Sequence, residues 1–253
     1  METLADVVAA GRDRSGLVVD APDRTADYSY DEFATNAWKA GNLLRHYGVR
    51  AGATMALVTG PKSPTAEDKP GWLGSAADPL LALLGGATVG AVIDLTPTAP
   101  VDARAIVLPD GWLDRYDVAP GCSQIAYGGP PETAGVAHFE RELWSENPIQ
   151  PPGSLAADSS VLCIDGKTYT HGHVLDAARA IADERGLTDD DSVAIDAPLT
   201  TAETVAAGVV APLLVGATIL LTPPEPLPND VRYVVSRSDW SEQTVEPGDG
   251  LDV

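Results

Sequence analysis

The chain has 253 residues, 37 acidic against 16 basic, for a net charge of −21 and a pI near 4.3. That balance repels nucleic-acid phosphates and anionic lipid heads, so neither is expected as a partner. With 44% hydrophobic residues and only two cysteines, Cys122 and Cys163, the chain can bury one large core or two smaller ones without disulfides, as expected of a reduced, cytoplasmic protein.

The acidity is spread along the whole chain, which fits a surface adapted to high salt, where screening suppresses self-repulsion. The opening Met1-Glu2-Thr3-Leu4-Ala5-Asp6 has no basic n-region and does not read as a signal peptide. Ser29-Tyr30-Asp31-Glu32 has the S-x-x-E form of a capping box, and Phe33, Ala37, Ala40, Leu43 and Leu44 continue it at helical spacing to Gly48. Thr54 to Val58 is a short apolar strand. The Pro/Gly/Lys-rich stretch from Gly60 to Ala77 reads as a loop; Pro61 and Pro64 remove two of the donors an anion cradle would use, which favours a plain surface loop. Leu80 to Leu84 predicts a helix interrupted at Gly85-Gly86, with a buried strand from Ala87 to Leu95 closed by Pro97.

After a connecting segment comes the apolar strand Ser159 to Ile164, then Asp165-Gly166, then Lys167 to Thr170. Two residues of this type between β-formers predict a hairpin closed by a type I′ turn, because both central residues need positive φ. A helix follows from His171 to Arg185, with Val174, Leu175, Ala178 and Ile181 on its apolar face. Asp189-Asp190-Asp191 reads as a solvated loop; no His or Cys lies close by to complete a metal site. Ser192 to Ile195 is the next strand. The uncharged run Val205 to Thr222 is broken by Gly208, Pro212 and Gly216, so it predicts a buried helix followed by a strand from Ala217 to Leu221 instead of a membrane span. A Pro-rich link, a strand from Val231 to Val235 and an acidic tail complete the chain. Trp112, Trp144 and Trp240 fall in expected loops or links, where a ring packs one piece of protein on another.

The order helix, strand, helix, strand occurs twice. Gly48-Val49 matches Gly186-Leu187, and Leu83-Leu84-Gly85-Gly86-Ala87-Thr88-Val89 matches Leu213-Leu214-Val215-Gly216-Ala217-Thr218-Ile219. The fold class expected is α/β: two related lobes with mostly parallel sheets, residues 1–97 and 159–222, joined by 98–158 and followed by 223–253.

Several strings resemble the AMP-dependent acyl-CoA synthetase and ligase superfamily of adenylate-forming enzymes: Thr3 to Val8, Tyr30-Asp31-Glu32-Phe33, Tyr47 to Gly52, Leu80 to Pro97, and Ala211 to Thr218. The resemblance covers most of residues 3–222 and implies the fold of that superfamily's N-terminal subdomains. It also implies a Ser/Thr/Gly-rich loop ending in Pro-Lys-Gly and Thr-His, where ATP phosphates are held. Here Asp165-Gly166 stands in that place, followed by Thr170-His171, and the superfamily's later motifs and C-terminal domain would lie beyond residue 222. ATP, Mg²⁺ and CoA are therefore implied by the resemblance alone, and no cofactor is expected from the residues themselves.

No catalytic or metal-ligating set stands out. Gly166-Lys167-Thr168 looks like the end of a Walker loop, but the earlier glycine would fall at Val161. Thr170 as a helix N-cap with His171 in the first turn explains both residues; the resemblance implies the alternative, a wall of a substrate or cofactor pocket. His173 reads as a helix-surface residue, and His46 and His138 have no partners evident from spacing. No G-x-S-x-G or G-x-G-x-x-G occurs. The resulting expectation is a degenerate, catalytically inactive acyl-CoA synthetase-like protein acting as a binding or regulatory module. The alternatives are one component of a split ligase whose catalytic part is on another chain, and an assembly protein without a small ligand. A protein partner or self-association is expected at the lobe face that relatives cover.

Overall fold

The computed structural model describes residues 1–20, 27–221 and 226–236, and the backbone of 244–245. Helix α1 (Leu4–Gly11) opens on a capping box, Thr3 accepting from the Asp6 amide and Asp6 Oδ2 accepting from the Thr3 amide at 2.9 Å. A hairpin of β1 (Leu17–Asp20) and β2 (Tyr28–Ser29) feeds α2 (Tyr30–His46), capped by Ser29 as the sequence predicts. Strand β3 (Thr54–Leu57), helix α3 (Asp78–Thr88) and strand β4 (Val92–Asp94) follow. Next come β5 (Ala105–Pro109), a 3-10 turn (Asp110–Arg115), β6 (Ser123–Tyr127), β7 (Ala137–His138) and α4 (Phe139–Ser145). The second half runs through β8 (Ser160–Ile164), β9 (Lys167–Thr170), α5 (His171–Arg185) and β10 (Ser192–Asp196). It continues with α6 (Ala202–Val205), a π-helical stretch (Ala206–Val210), α7 (Ala211–Val215), β11 (Thr218–Leu220), β12 (Val231–Ser236) and β13 (Thr244–Val245).

The repeated unit is real and longer than the sequence shows: hairpin, helix, strand, helix, strand, in both halves. The matched strings have a shared physical basis. At Gly48-Val49 and Gly186-Leu187 the apolar residue's amide reaches back to the helix, Val49 N–H to Leu44 O at 3.0 Å and Leu187 N–H to Ala182 O at 2.9 Å, the backbone closure of a Schellman motif.

Two sheets form, one in the order β7-β6-β5-β3-β4-β8-β9 and the other β13-β12-β10-β11-β1-β2. All pairings are parallel except the hairpins β8/β9 and β1/β2. Strand pairing runs across the boundaries expected at 97/98 and 158/159. Each central strand pair is extended by the hairpin of the other half: β4 pairs with β8, and β11 pairs with β1. Residues 98–158 are not merely a connection, because they supply β5, β6 and β7 to the seven-stranded sheet. A parallel strand's partner is chosen by which edge lies open in space, and that choice is not written in local pattern. The acidic tail and Trp240 fall outside the described residues.

The interrupted helix is also corrected. Helix α3 runs unbroken through Gly85-Gly86, and β4 is confined to Val92–Asp94. The glycines serve close packing of helices: a Cβ on Gly85 would lie 2.7 Å from both Ala40 Cβ and Gly41 N of α2. The π-helical stretch was not legible in sequence. No helix among the described residues is long and apolar enough to cross a membrane.

Alternation along the strands divides two environments. Met55 and Leu57 of β3, Ile93 of β4, Val193 and Ile195 of β10, and Tyr233 and Val235 of β12 join the helices in one core that spans both sheets. The opposite faces carry small clusters, Ala56, Val58, Ile106 and Leu108 with Trp112 on one sheet, and Ala194, Leu220 and Val234 on the other. Trp112 is fully buried as an anchor, whereas Trp144 on α4 is 85% exposed.

His171 ties the halves together. Fully buried at the start of α5, it accepts the Leu4 amide of α1 on Nδ1 at 3.2 Å, which places its proton on Nε2; that atom is buried without a hydrogen-bond partner among the described residues. Burial, partly opposed by nearby Asp6, lowers its pKa to about 4. The folded value lies below the unfolded one, so neutral His171 costs no stability at neutral pH, and stability is lost as pH falls from about 6.5 towards 4 while only the unfolded state protonates. We predict that the wild type loses on the order of 2–3 kcal/mol more than His171→Gln across that window, measured by urea unfolding at pH 7 and pH 4.5.

Candidate functional site

Ligands in open α/β sheets sit beyond the carboxyl ends of parallel strands, where the chain switches direction across the sheet. Both sheets have such a point. From β3 the chain adds β4 on one side and then β5 on the other, and from β10 it adds β11 and then β12 in the same way. The loops leaving these strands, residues 58–77 after β3 and 197–201 after β10, meet at the carboxyl edges of the two sheets. The Leu199 amide donates to Gly71 O at 2.8 Å.

A cleft of about 430 Å³ opens there between Lys69, Trp72 and Leu73 of the first loop and Ile195, Asp196 and Leu221 at the ends of β10 and β11. Trp72 offers a partly exposed ring face, 38% accessible. Lys69 makes no ion pair among the described residues, and Asp196 accepts from Ser236 at 3.3 Å. The cleft, also lined by Glu67 and Asp68, thus offers a cation, three carboxylates and an aromatic platform. A second cavity of about 210 Å³ is walled by Pro70 and Gly71 together with Thr59, Thr96, Tyr116 and Thr200.

Residues 58–77 form a loop with an exposed middle, as expected from sequence, and its root is held by buried polar groups. Tyr127, buried at the end of β6, accepts the Gly60 amide at 2.9 Å and lies 3.0 Å from Gly60 O, so its hydroxyl donates as well as accepts. Burial raises its pKa far above the usual range. Lys62 Nζ lies 3.0 Å from Oδ2 of the buried Asp78 at the start of α3. Beside this pair, Glu140 accepts the Gly128 amide at 2.7 Å; burial, and next the nearby Asp78, raise its pKa. His138 Nε2 is 3.3 Å from Glu140 Oε2 but not aligned for a hydrogen bond.

Thr170 is the N-cap of α5, its hydroxyl accepting the His173 amide at 3.2 Å, and His171 is the buried link to α1. The capping explanation holds, and neither residue lines either cavity. The Asp165-Gly166 hairpin forms as predicted: Ile164 pairs with Lys167, with φ of 49° at Asp165 and 79° at Gly166. The Asp165 amide is spent on Thr96 Oγ1 at 2.7 Å, and the Lys167 ammonium sits 5.0 Å over the Tyr169 ring. Asp191 of the acidic triplet accepts from Thr188 N and Oγ1 and pairs with Arg232, which organises the turn into β10. His46, without an evident partner in sequence, meets Glu146 at 2.8 Å.

Trp72, Lys69 and Asp196 were missed in sequence because they converge only through tertiary structure. The available signal was the length of the loop after β3, since long loops without internal regular structure are uncommon and tend to be functional.

No protein-family profile and no curated protein matches this sequence. Solved structures do match in fold. An anthranilate CoA ligase, AuaEII, in complex with anthranoyl-AMP superposes with a TM-score of 0.71 at 17% identity, over 88% of this chain and 45% of the ligase. A benzoate CoA ligase from Burkholderia xenovorans gives 0.68 at 21% identity, over 88% and 46%. The N-terminal domain of FACL13 from Mycobacterium tuberculosis gives 0.68 at 15% identity, over 87% and 57%. The chain spans about half the length of the solved proteins it matches, and it has the fold of the N-terminal part of acyl- and aryl-CoA ligases.

Replacing Lys62 with Met leaves the Asp78 carboxylate buried without its cation. We predict a destabilisation of roughly 2–4 kcal/mol by urea unfolding at pH 7, with the root of the 58–77 loop losing amide protection first.

Proposed function

We propose that the chain is a non-catalytic relative of the adenylate-forming enzymes, serving as a binding or regulatory module whose ligand sits in the cleft at the carboxyl edges of the two sheets. The observation that supports this reading is the Asp165-Gly166 turn. Adenylation depends on backbone donors and a lysine arranged around the ATP phosphates, stabilising charge that develops in the reaction. At the place where the resemblance puts that loop, the turn has two residues, its first amide is engaged by Thr96, and its lysine lies over Tyr169. The cleft presents the Lys69 ammonium and the Trp72 ring beside the carboxylates of Glu67, Asp68 and Asp196.

A second reading is one component of a split acyl-CoA ligase, supported by the fold shared with the N-terminal part of solved CoA ligases. In that reading another chain supplies the phosphate-binding and catalytic groups, and this chain supplies a wall of the acyl or CoA site.

Thermal unfolding in molar KCl with ATP and Mg²⁺, AMP, CoA or acyl-CoAs tests for a small ligand common to both readings, because a ligand at 100 times its Kd adds about 2.7 kcal/mol. We expect no shift with ATP and Mg²⁺, and a shift with CoA or an acyl-CoA that Trp72→Ala abolishes. A shift with ATP would restore an adenylating site. No shift with any of them would remove the small-ligand reading and leave an assembly protein.

A further inference from the structure

The two halves repeat the same elements, so corresponding loops can be compared within one molecule. After β10 the chain reaches α6 through residues 197–201 alone; after β3 it reaches α3 through residues 58–77. The additional residues of the first loop do not hang free. They cross the cleft and rest on the short loop of the other half.

We propose that residues 61–77 are a strap that closes the cleft between the carboxyl edges of the two sheets, and that its release at Gly71 joins the cavities on its two sides into one longer groove. The crossing is made by backbone. Gly71 N–H donates to Thr59 O at 2.9 Å and Gly71 O accepts from Leu199 N–H at 2.8 Å, so one residue connects the end of β3 to the loop after β10. Gly71 has φ of +103°, and a Cβ there would lie 2.8 Å from Pro198 Cβ and 2.9 Å from Thr200 Cγ2. Only glycine fits both the conformation and the contact.

Pro70, Gly71 and Trp72 form the partition. Trp72 with Lys69 walls the cavity of about 430 Å³, and Pro70 with Gly71 walls that of about 210 Å³. The strap's middle is weakly supported: Thr65, Ala66, Glu67, Lys69, Pro70 and Trp72 are all exposed. Its ends are firmly held, by Tyr127 and Asp78 at one end and by buried Leu73, Ala76 and Ala77 at the other. A segment fixed at both ends and held in the middle by the two backbone hydrogen bonds of Gly71 and an exposed one from Arg115 to Thr65 O at 3.4 Å opens locally, without unfolding the sheets beneath it. This inference does not rest on the identity of the ligand, and its test needs none.

The test is hydrogen exchange on the full chain, wild type against Gly71→Ala, with Gly121→Ala as control, a glycine also at positive φ (+91°) but with nothing within 4 Å of where a Cβ would stand. In the wild type the Gly71 and Leu199 amides should share one protection level, below that of β3 and β10. In Gly71→Ala both should exchange about tenfold faster or more while β3 and β10 hold, and 1-anilinonaphthalene-8-sulfonate should bind the opened groove several-fold more tightly, at about 25 °C and neutral pH. The control should change neither readout. Unprotected Gly71 and Leu199 amides in the wild type would overturn the strap. So would unchanged exchange in Gly71→Ala, or loss of protection spreading into β3 and β10. Release without tighter dye binding would overturn the joining of the two cavities.

Discussion

The fold depends on an exchange of hairpins between its two halves. β3 and β4 leave an open edge that is filled by β8 from the second half, and β10 and β11 leave one filled by β1 from the first. A parallel pair with unpaired backbone on its flank is unstable in a buried sheet, so each half requires the other's hairpin to satisfy its ladder. The two sheets consequently share a single core, and neither half has a sheet of its own to fold around.

The contacts that secure this exchange are specific. His171, at the first position of α5 directly after the β8/β9 hairpin, receives the Leu4 amide and so fixes α1 against the second half. Tyr30, at the start of α2 directly after the β1/β2 hairpin, donates to Ala217 O at 2.7 Å before β11. Each donated hairpin is thus followed by a buried polar side chain that reaches a backbone group of the other half. Their value is register, since a buried polar group that loses its partner costs more than the bond itself contributes.

The same arrangement creates the site. Bringing two parallel sheets together aligns two sets of strand carboxyl ends, and the loops after β3 and β10 face each other across the gap. The long loop occupies that gap through Gly71, while its root is held by the buried Tyr127 and the Lys62–Asp78 pair. The β8/β9 hairpin is closed by two residues and pinned to Thr96.

The sequence by itself determined what is encoded within a few residues. Ser29 and Thr170 cap their helices, Asp165-Gly166 turns the β8/β9 hairpin, and Gly48-Val49 and Gly186-Leu187 close α2 and α5, because each depends on local φ/ψ preference and nearby donors. The α/β class and the repeated order of elements followed from the same signals. Tertiary structure alone decided which strand completes which sheet, that residues 98–158 build three strands, and that Gly85 continues a helix instead of ending it. It alone placed Trp72 and Lys69 opposite Asp196. These features depend on pairing and packing between residues far apart in the chain, and side-chain periodicity specifies which face of an element is buried without naming the element that buries it.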